Sequence, residues 1–210
     1  AGSLAMQGYE THIVEKSDHL GGQALNLYHT PEGADVREKV AALAADVEGN
    51  DRIHVHLNST LSAVEGFVGS FKTTLNENGG ETAVEHGIAI MATGAAPLQP
   101  SEYQYGQDSR ILTALELDKK FMEDDPALKE MESAVFIQCV GSREPDRPYC
   151  SRVCCTHSVD SAIELKRRNP DMNVFILYRD IRTYGEKEYL YQEAREAGVI
   201  FVRFDLENKP

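Results

Sequence analysis

Strand-like and helix-like patterns alternate regularly through the last third of the chain. Short apolar runs at residues 135 to 140, 174 to 178 and 199 to 204 predict strands, the first of them buried. Between them, residues 153 to 168 and 186 to 197 have apolar residues at helical spacing. Parallel strands need a helix-sized crossover, whereas antiparallel strands can be joined by a tight turn. The alternation therefore predicts an α/β unit with a parallel, doubly wound sheet. We expect its first helix to bury Val159, Ala162, Ile163 and Leu165.

The pattern in the first half of the chain predicts a second α/β unit, which contains an inserted β-meander. A helix ends at Gly8, a short strand covers residues 11 to 15, and an amphipathic helix covers residues 34 to 49. Four β segments follow at residues 53 to 57, 60 to 64, 67 to 75 and 82 to 84, with a hairpin turn at Asn78-Gly79-Gly80. The apolar run at residues 88 to 92 predicts a buried parallel strand that stops at Thr93-Gly94. This order predicts a Rossmann-like unit carrying a β-meander.

Three pieces of this first unit indicate a dinucleotide site. Glu15 ends a strand, where an acid typically binds ribose hydroxyls. Gly21 and Gly22 follow in a loop that lets backbone N–H groups approach a ligand, and Thr93-Gly94 ends the predicted last strand. Each piece alone is more often an exposed acid, a plain turn or a strand terminator. Because the first strand and its glycine turn would precede residue 1, and the chain ends on "ENKP" directly after a predicted strand, we expect a fragment, cut at both ends.

The segments "VEKSDHLGG" and "IMATGAAPLQP" resemble the second and last cofactor segments of the two-dinucleotide flavoprotein family, which includes thioredoxin reductase. In that family the acid binds the adenosine ribose of FAD, and the glycines and the Ala-Thr-Gly strand end lie along the cofactor. The resemblance implies FAD contacts at Glu15, Gly21, Gly22, Thr93 and Gly94.

All four cysteines lie between residues 139 and 155, in the first strand-to-helix connection of the second unit. A nucleotide-binding unit has a G-x-G-x-x-G turn there, and this chain instead has "CVGSREPDRPYCSRVCC". Disulfides that staple a secreted domain join distant segments, so a tight group favours a metal or redox site in a reducing compartment. The cysteines occupy the place where a pyrophosphate would bind.

The spacing C-x10-C-x3-C-C leaves three readings open. It matches neither paired zinc knuckles nor the ferredoxin run, although four thiolates can complete the ligand set of a [4Fe-4S] cluster. Cys154 and Cys155 also fall on a helix N-terminus, which favours thiolates. A zinc site and a redox dithiol formed by Cys154 and Cys155 are the alternatives, and His157 is more often a surface or outer-sphere group than a ligand.

The run from "VFIQCVGSREPDRPYCSRVCCTH" to "GVIFVRFD" resembles the heterodisulfide reductase A subunits and the quinone-interacting oxidoreductase flavoproteins of sulfate-reducing bacteria. The resemblance implies a [4Fe-4S] cluster bound by Cys139, Cys150, Cys154 and Cys155 within a thioredoxin-reductase-like module. It also implies FAD as a second cofactor and the other subunits of such a complex as partners. No residue is expected to act as a catalytic acid, base or nucleophile.

The net charge and the apolar runs of the sequence limit which partners and which cellular compartment we expect. With 21 basic and 34 acidic residues the net charge is −13, which disfavours nucleic acid and anionic membranes as partners. No apolar run approaches the ~20 residues of a membrane span, so we expect no direct membrane insertion and a cytoplasmic protein.

We predict a partial FAD-binding domain over residues 1–125 and a second Rossmann-like unit with the cysteines over residues 126–210. The predicted function is electron transfer between FAD and the cluster. The alternatives are a zinc-stabilised structural or partner-binding module and a flavin-linked dithiol–disulfide reductase.

Overall fold

The computed structural model describes residues 1–77 and 79–210 and divides into two compact units. The first unit consists of residues 1–27 and 35–96, and the second of residues 28–34 and 97–210. The predicted functional boundary at residue 125 lies within the second unit, because the helix before it packs into that unit's core. The assignment of functional domains stays a prediction.

The first unit contains a short parallel pair of strands and a separate antiparallel meander. Helix α1 (Gly2–Met6) precedes strand β1 (Thr11–Val14), and helix α2 (Val36–Glu48) precedes strand β2 (Ile53–His56). Strands β1 and β2 pair in parallel, with Thr11 opposite Ile53. The meander, whose prediction is confirmed, consists of β3 (Ser59–Phe67), β4 (Ser70–Glu77) and β5 (Gly80–His86) in sequential order. The predicted hairpin turn includes Asn78, which lies outside the described residues.

The predicted buried strand at residues 88 to 92 is wrong. This segment has no regular secondary structure, and Ile88, Ile90 and Met91 are 76%, 71% and 80% exposed. An apolar parallel strand is stable only between neighbouring strands that satisfy its backbone and cover its side chains. Within residues 1–77 and 79–96 of this unit, the parallel sheet contains β1 and β2 alone. The apolar run therefore has no parallel strand beside it.

The second unit has the predicted alternation of strands and helices. After helices α3 (Ala114–Met122) and α4 (Ala127–Glu130), the order is β6 (Ser133–Ile137), α5 (Cys154–Arg168), β7 (Asn173–Tyr178), α6 (Glu188–Glu196) and β8 (Ile200–Arg203). The strands form one parallel sheet in the order β6-β7-β8. Helix α5 begins within one residue of its predicted start. None of the helices in the described part of the chain is long and apolar enough to cross a membrane.

The core of the second unit lies between the central strand and helix α5. Val174 and Ile176 of β7 are fully buried, and α5 buries the four predicted residues Val159, Ala162, Ile163 and Leu165. The prediction of a buried first strand at residues 135 to 140 is only partly correct, because Val135 is 56% exposed. Strand β6 is an edge strand that turns Ala134 and Phe136 towards the core, so alternate side chains face away.

Candidate functional site

The turn after β6 carries Cys139 in an uncommon backbone conformation. Cys139, Gly141 and Arg143 have φ angles of 63°, 62° and 57°, so every second residue is left-handed. Such a conformation costs a non-glycine residue of the order of 1 kcal/mol and persists where the surroundings impose it. The backbone N–H of Ser142 donates to the Cys139 carbonyl at 3.1 Å, which closes the turn. The Cys139 side chain is half-buried at the carboxyl end of the strand.

Cys154 and Cys155 occupy the first turn of α5, as predicted from the sequence. Cys155 is buried, at 3% exposure, whereas Cys154 is half-buried. A hydrogen bond with Cys155 lowers the pKa of Cys154 to about 6, although burial acts in the opposite direction. The same bond, together with burial, raises the pKa of Cys155, and a nearby Cys139 thiolate adds to that rise. A thiolate on Cys154 is thus stabilised in its place at a helix N-terminus.

Cys150 lies beside an open, polar cavity. The cavity has a volume of about 610 Å³ and is lined by Tyr149, Cys150, Arg152, Arg182 and Tyr184. The Arg152 backbone N–H donates to Cys150 Sγ at 3.4 Å, and Arg152 itself is left-handed, with φ 66°. Two guanidinium groups therefore line the same space as this thiol, which favours negative charge in it.

Asp180 and Arg143 connect the Cys139 turn with helix α5. Arg143 Nη1 lies 3.8 Å from Cys139 Sγ, and Arg143 Nη2 donates to Asp180 Oδ2 at 2.6 Å. The Cys155 thiol lies 3.7 Å from the Asp180 carbonyl oxygen and donates to it. The Arg143 guanidinium holds the pKa of Asp180 below its usual range. Asp180, two residues after the end of β7, thus contacts both cysteine-bearing segments.

The four predicted ligands lie around one end of the sheet without forming a complete metal sphere. All four are free thiols. Across residues 1–77 and 79–210, no three His, Cys, Asp or Glu side chains converge closely enough to hold a metal ion. The donor chemistry nevertheless fits an iron–sulfur cluster, because four cysteines supply the full set of thiolate ligands. The nearby arginines and the helix N-terminus favour the negative charge of such a cluster. Closing the sphere would require rearrangement of the loop between Cys139 and Cys154.

His157 is engaged by a buried carboxylate. Its Nε2 lies 3.0 and 2.9 Å from the two carboxylate oxygens of Asp118, which also accepts a hydrogen bond from the Tyr28 backbone N–H at 3.2 Å. Burial acts to lower the pKa of His157, but the hydrogen bond to Asp118 and the negative charges of Asp118, Asp160 and Cys154 together raise it. Sequence reasoning did not identify Asp118, because a single acid on a charged helix carries no distinguishing pattern.

The predicted FAD residue Glu15 lies directly after β1. Its Oε1 accepts a hydrogen bond from the Ser17 backbone N–H at 2.8 Å, and this bond lowers the pKa of Glu15. Its own N–H donates to the His56 carbonyl, so the backbone continues the pairing of β1 with β2. A carboxylate at the end of a parallel strand is the expected position for a ribose-binding acid.

The paired glycines differ in what they require. Gly21 has φ 114°, and a Cβ there would lie 2.6 Å from Val40 Cγ1. Gly22 has φ 48°, and a Cβ there would meet no atom within 4 Å. Packing of the loop against α2 therefore explains Gly21 without a ligand, whereas the open space at Gly22 leaves its backbone accessible. The predicted role of both in binding FAD remains a prediction.

Thr93 and Gly94 lie in an exposed segment without regular structure. The expectation that they end a strand is wrong for the reason given above for residues 88 to 92. Gly94 has φ 63° with open space around its Cα. Their contact with a cofactor also remains a prediction.

The known proteins that are similar to this chain are named as redox proteins. No family model matches the chain. The A subunit of the H(2):CoB-CoM heterodisulfide,ferredoxin reductase of Methanothermobacter marburgensis is 34% identical over 139 residues, covering 59% of this chain and 21% of that protein. The iron-sulfur A subunit of the CoB–CoM heterodisulfide reductase of Methanocaldococcus jannaschii is 36% identical over 139 residues, with the same coverage of 59% and 21%. The chain thus spans about a fifth of the length of these relatives.

Solved structures show the same class of fold at low sequence identity. The NAD-dependent persulfide reductase of A. fulgidus has a TM-score of 0.52 and 20% identity, covering 91% of this chain and 34% of that chain. The HOCl-induced flavoprotein disulfide reductase of Escherichia coli has a TM-score of 0.52 and 12% identity, covering 96% of this chain and 45% of that chain. The chain therefore has an α/β fold similar to that of the flavin-dependent pyridine nucleotide-disulfide oxidoreductases, and its curated homologues are the A subunits of heterodisulfide reductase.

Proposed function

We propose that this chain is part of an electron-transfer oxidoreductase that holds FAD in residues 1–125 and a [4Fe-4S] cluster in residues 126–210. The observation that carries the proposal is the cysteine arrangement at the carboxyl end of the second parallel sheet. Cys139 follows β6, and Cys154 and Cys155 begin α5, where a nucleotide-binding unit would hold a pyrophosphate. Relatives of the chain are named iron-sulfur subunits, which agrees with this assignment.

Each part of the proposed site supplies a defined interaction. When bound, FAD exchanges electron pairs and the cluster exchanges single electrons. Cys139, Cys150, Cys154 and Cys155 would supply the thiolates, and Arg143 and the α5 N-terminus would stabilise their negative charge. Glu15 would bind the adenosine ribose, and Gly21, Gly22, Thr93 and Gly94 would lie along the flavin nucleotide.

The finer fold assignment supports the same proposal. We propose that the second unit is half of a Rossmann sheet, which its parallel strand order β6-β7-β8 with helical crossovers supports. The first unit would be a second Rossmann-like unit with a meander. We further propose that the protein works in the cytoplasm, since grouped free thiols suit a reducing compartment. Its partners would be the other subunits of a heterodisulfide reductase-like or quinone-interacting complex.

One observation favours a second candidate function, a flavin-linked dithiol–disulfide reductase. The hydrogen bond with Cys155 lowers the pKa of the Cys154 thiol to about 6, as in many nucleophilic cysteines. This reading leaves Cys139 and Cys150 without a role, and a disulfide between neighbouring residues is strained. The cluster accounts for all four cysteines.

The cofactor content of the chain purified without oxygen separates these readings. We expect a brown protein with about four iron and four sulfide per chain, because that is the composition of a cubane with four cysteine ligands. Bound FAD should be released on denaturation. A yellow protein without iron, whose Cys154 reacts rapidly with iodoacetamide, would favour the dithiol reductase. A colourless protein with zinc would favour the structural module and overturn the proposal.

A further inference from the structure

The carboxyl end of β7 has an unusual use in this chain. In a nucleotide-binding Rossmann unit, the residue that ends the second strand recognises the ribose, as an acid for NAD or an arginine for NADP. Here β7 ends at Tyr178, and the next two residues are an arginine, Arg179, and an acid, Asp180. Both side chains bind protein groups of the cysteine-bearing turn in place of a ligand.

Arg179 clamps the backbone of the turn after β6. Its Nη1 donates to the Arg143 carbonyl and its Nη2 to the Ser142 carbonyl, each at 2.8 Å. Its Nε is buried and has no hydrogen-bond partner in the described residues. A buried donor without a partner is unfavourable, so the two bonds to the turn determine where this guanidinium lies.

Asp180 extends the clamp to two of the proposed ligands. Its carboxylate accepts a hydrogen bond from Arg143 Nη2, and Arg143 Nη1 lies 3.8 Å from Cys139 Sγ. Its backbone carbonyl accepts a hydrogen bond from the Cys155 thiol at 3.7 Å. The consecutive residues 179 and 180 therefore bind the Cys139 turn and the first turn of α5 at once. The turn needs such support because Cys139 and Arg143 are both left-handed.

We infer that Arg179 and Asp180 are positioning residues that hold Cys139 next to the first turn of α5, at the strand end where related folds recognise a ribose. The inference deepens the proposed function, since it assigns a role towards the cluster to residues of this chain. It also explains why the second unit would not accept a pyridine nucleotide. The groups that would bind the ribose are committed to the turn, and the space of the pyrophosphate is occupied by cysteines.

The test compares Arg179→Gln and Arg179→Lys with the control Arg203→Lys, whose side chain is exposed at the end of β8. The metal-free protein is treated with iodoacetamide, and alkylation of each cysteine is followed by mass spectrometry. In Arg179→Gln we expect Cys139 to react at least about tenfold faster, the change expected from losing one hydrogen bond to a charged group. Cys154 should keep its wild-type rate. Lysine is expected to give an intermediate rate, because it cannot bind both carbonyls in a fork.

Equal rates at Cys139 in Arg179→Gln and in the wild type would overturn the inference. An equal rise at Cys139 and Cys154 would also do so, since it would report general loosening of the fold. If Arg179→Gln does not fold, the Arg179→Lys rates decide by the same criteria.

A second readout uses the cluster-loaded protein. At equal iron content, Arg179→Lys should have an altered EPR spectrum of the reduced cluster, and Arg203→Lys should not. A wild-type chain that binds no iron would contradict the proposed function, and the alkylation comparison would still decide the role of Arg179. An unchanged EPR spectrum in Arg179→Lys would contradict the link from the clamp to the cluster.

Discussion

Cys154→Ser is expected to leave the chain without an iron–sulfur cluster. Cys154 lies in the first turn of α5, next to the buried Cys155, and its interaction with that neighbour lowers its pKa to about 6. A serine hydroxyl does not ionise near neutral pH and is a poor ligand for iron. Loss of a direct ligand should weaken binding by more than the roughly 10- to 100-fold typical of outer-sphere substitutions.

Iron content and visible absorbance of protein purified without oxygen measure this effect. Thr156→Ser is the matched control, because it changes a side chain in the same helical turn without removing a thiol. We expect the control to keep its brown colour and the Cys154→Ser protein to lose it. Unchanged iron in Cys154→Ser would remove Cys154 from the ligand set and, with it, the assignment of all four cysteines to one cluster.

Asp118→Ala is expected to destabilise the protein by about 1–3 kcal/mol, the cost of leaving a buried hydrogen-bonding group without its partner. The Asp118 side chain is 4% exposed, and it accepts hydrogen bonds from His157 and from the Tyr28 backbone. Alanine would leave both donors without their acceptor in the interior. Since His157 lies one turn after Cys154, the loss would also release the start of α5.

Urea unfolding followed by circular dichroism gives the free energy of unfolding for this comparison. Asp118→Asn serves as the control, because its amide oxygen retains one acceptor in the same volume, and we expect it to cost less than alanine. A cost below about 1 kcal/mol for Asp118→Ala, the value of an ordinary hydrogen bond, would show that the carboxylate does not organise this region.

The second unit could be predicted from the sequence because its signals are local. The alternation of patterns predicted the strands and helices from β6 to β8, and the spacing of Val159, Ala162, Ile163 and Leu165 identified the buried face of α5. The position of Cys154 and Cys155 on the first helical turn followed from the same pattern. Periodicity reports which residues of one element share a face, and these features depend on nothing more.

Predictions that depend on neighbouring strands were less successful. Residues 88 to 92 have the composition of a buried strand, yet Ile90 is 71% exposed, because burial requires strands on either side. Val135 is exposed because it alternates with the core-facing Ala134 and Phe136 and lies on the other face of β6. Composition alone does not reveal which face of a strand is covered. The roles of Arg179, Asp180 and Asp118 arise from contacts between segments far apart in sequence, and no local pattern marks them.

The central claim is that a flavin and a single-electron centre are held by the same chain. It is tested most directly by an anaerobic reductive titration of the protein loaded with FAD, after unbound flavin has been removed, with flavin and iron absorbance followed together. We expect the wild-type chain to take up about three electrons, two for the flavin and one for the cluster. In Cys154→Ser the total should fall to about two. A wild-type protein that takes up two electrons or none would show that the chain does not hold both cofactors.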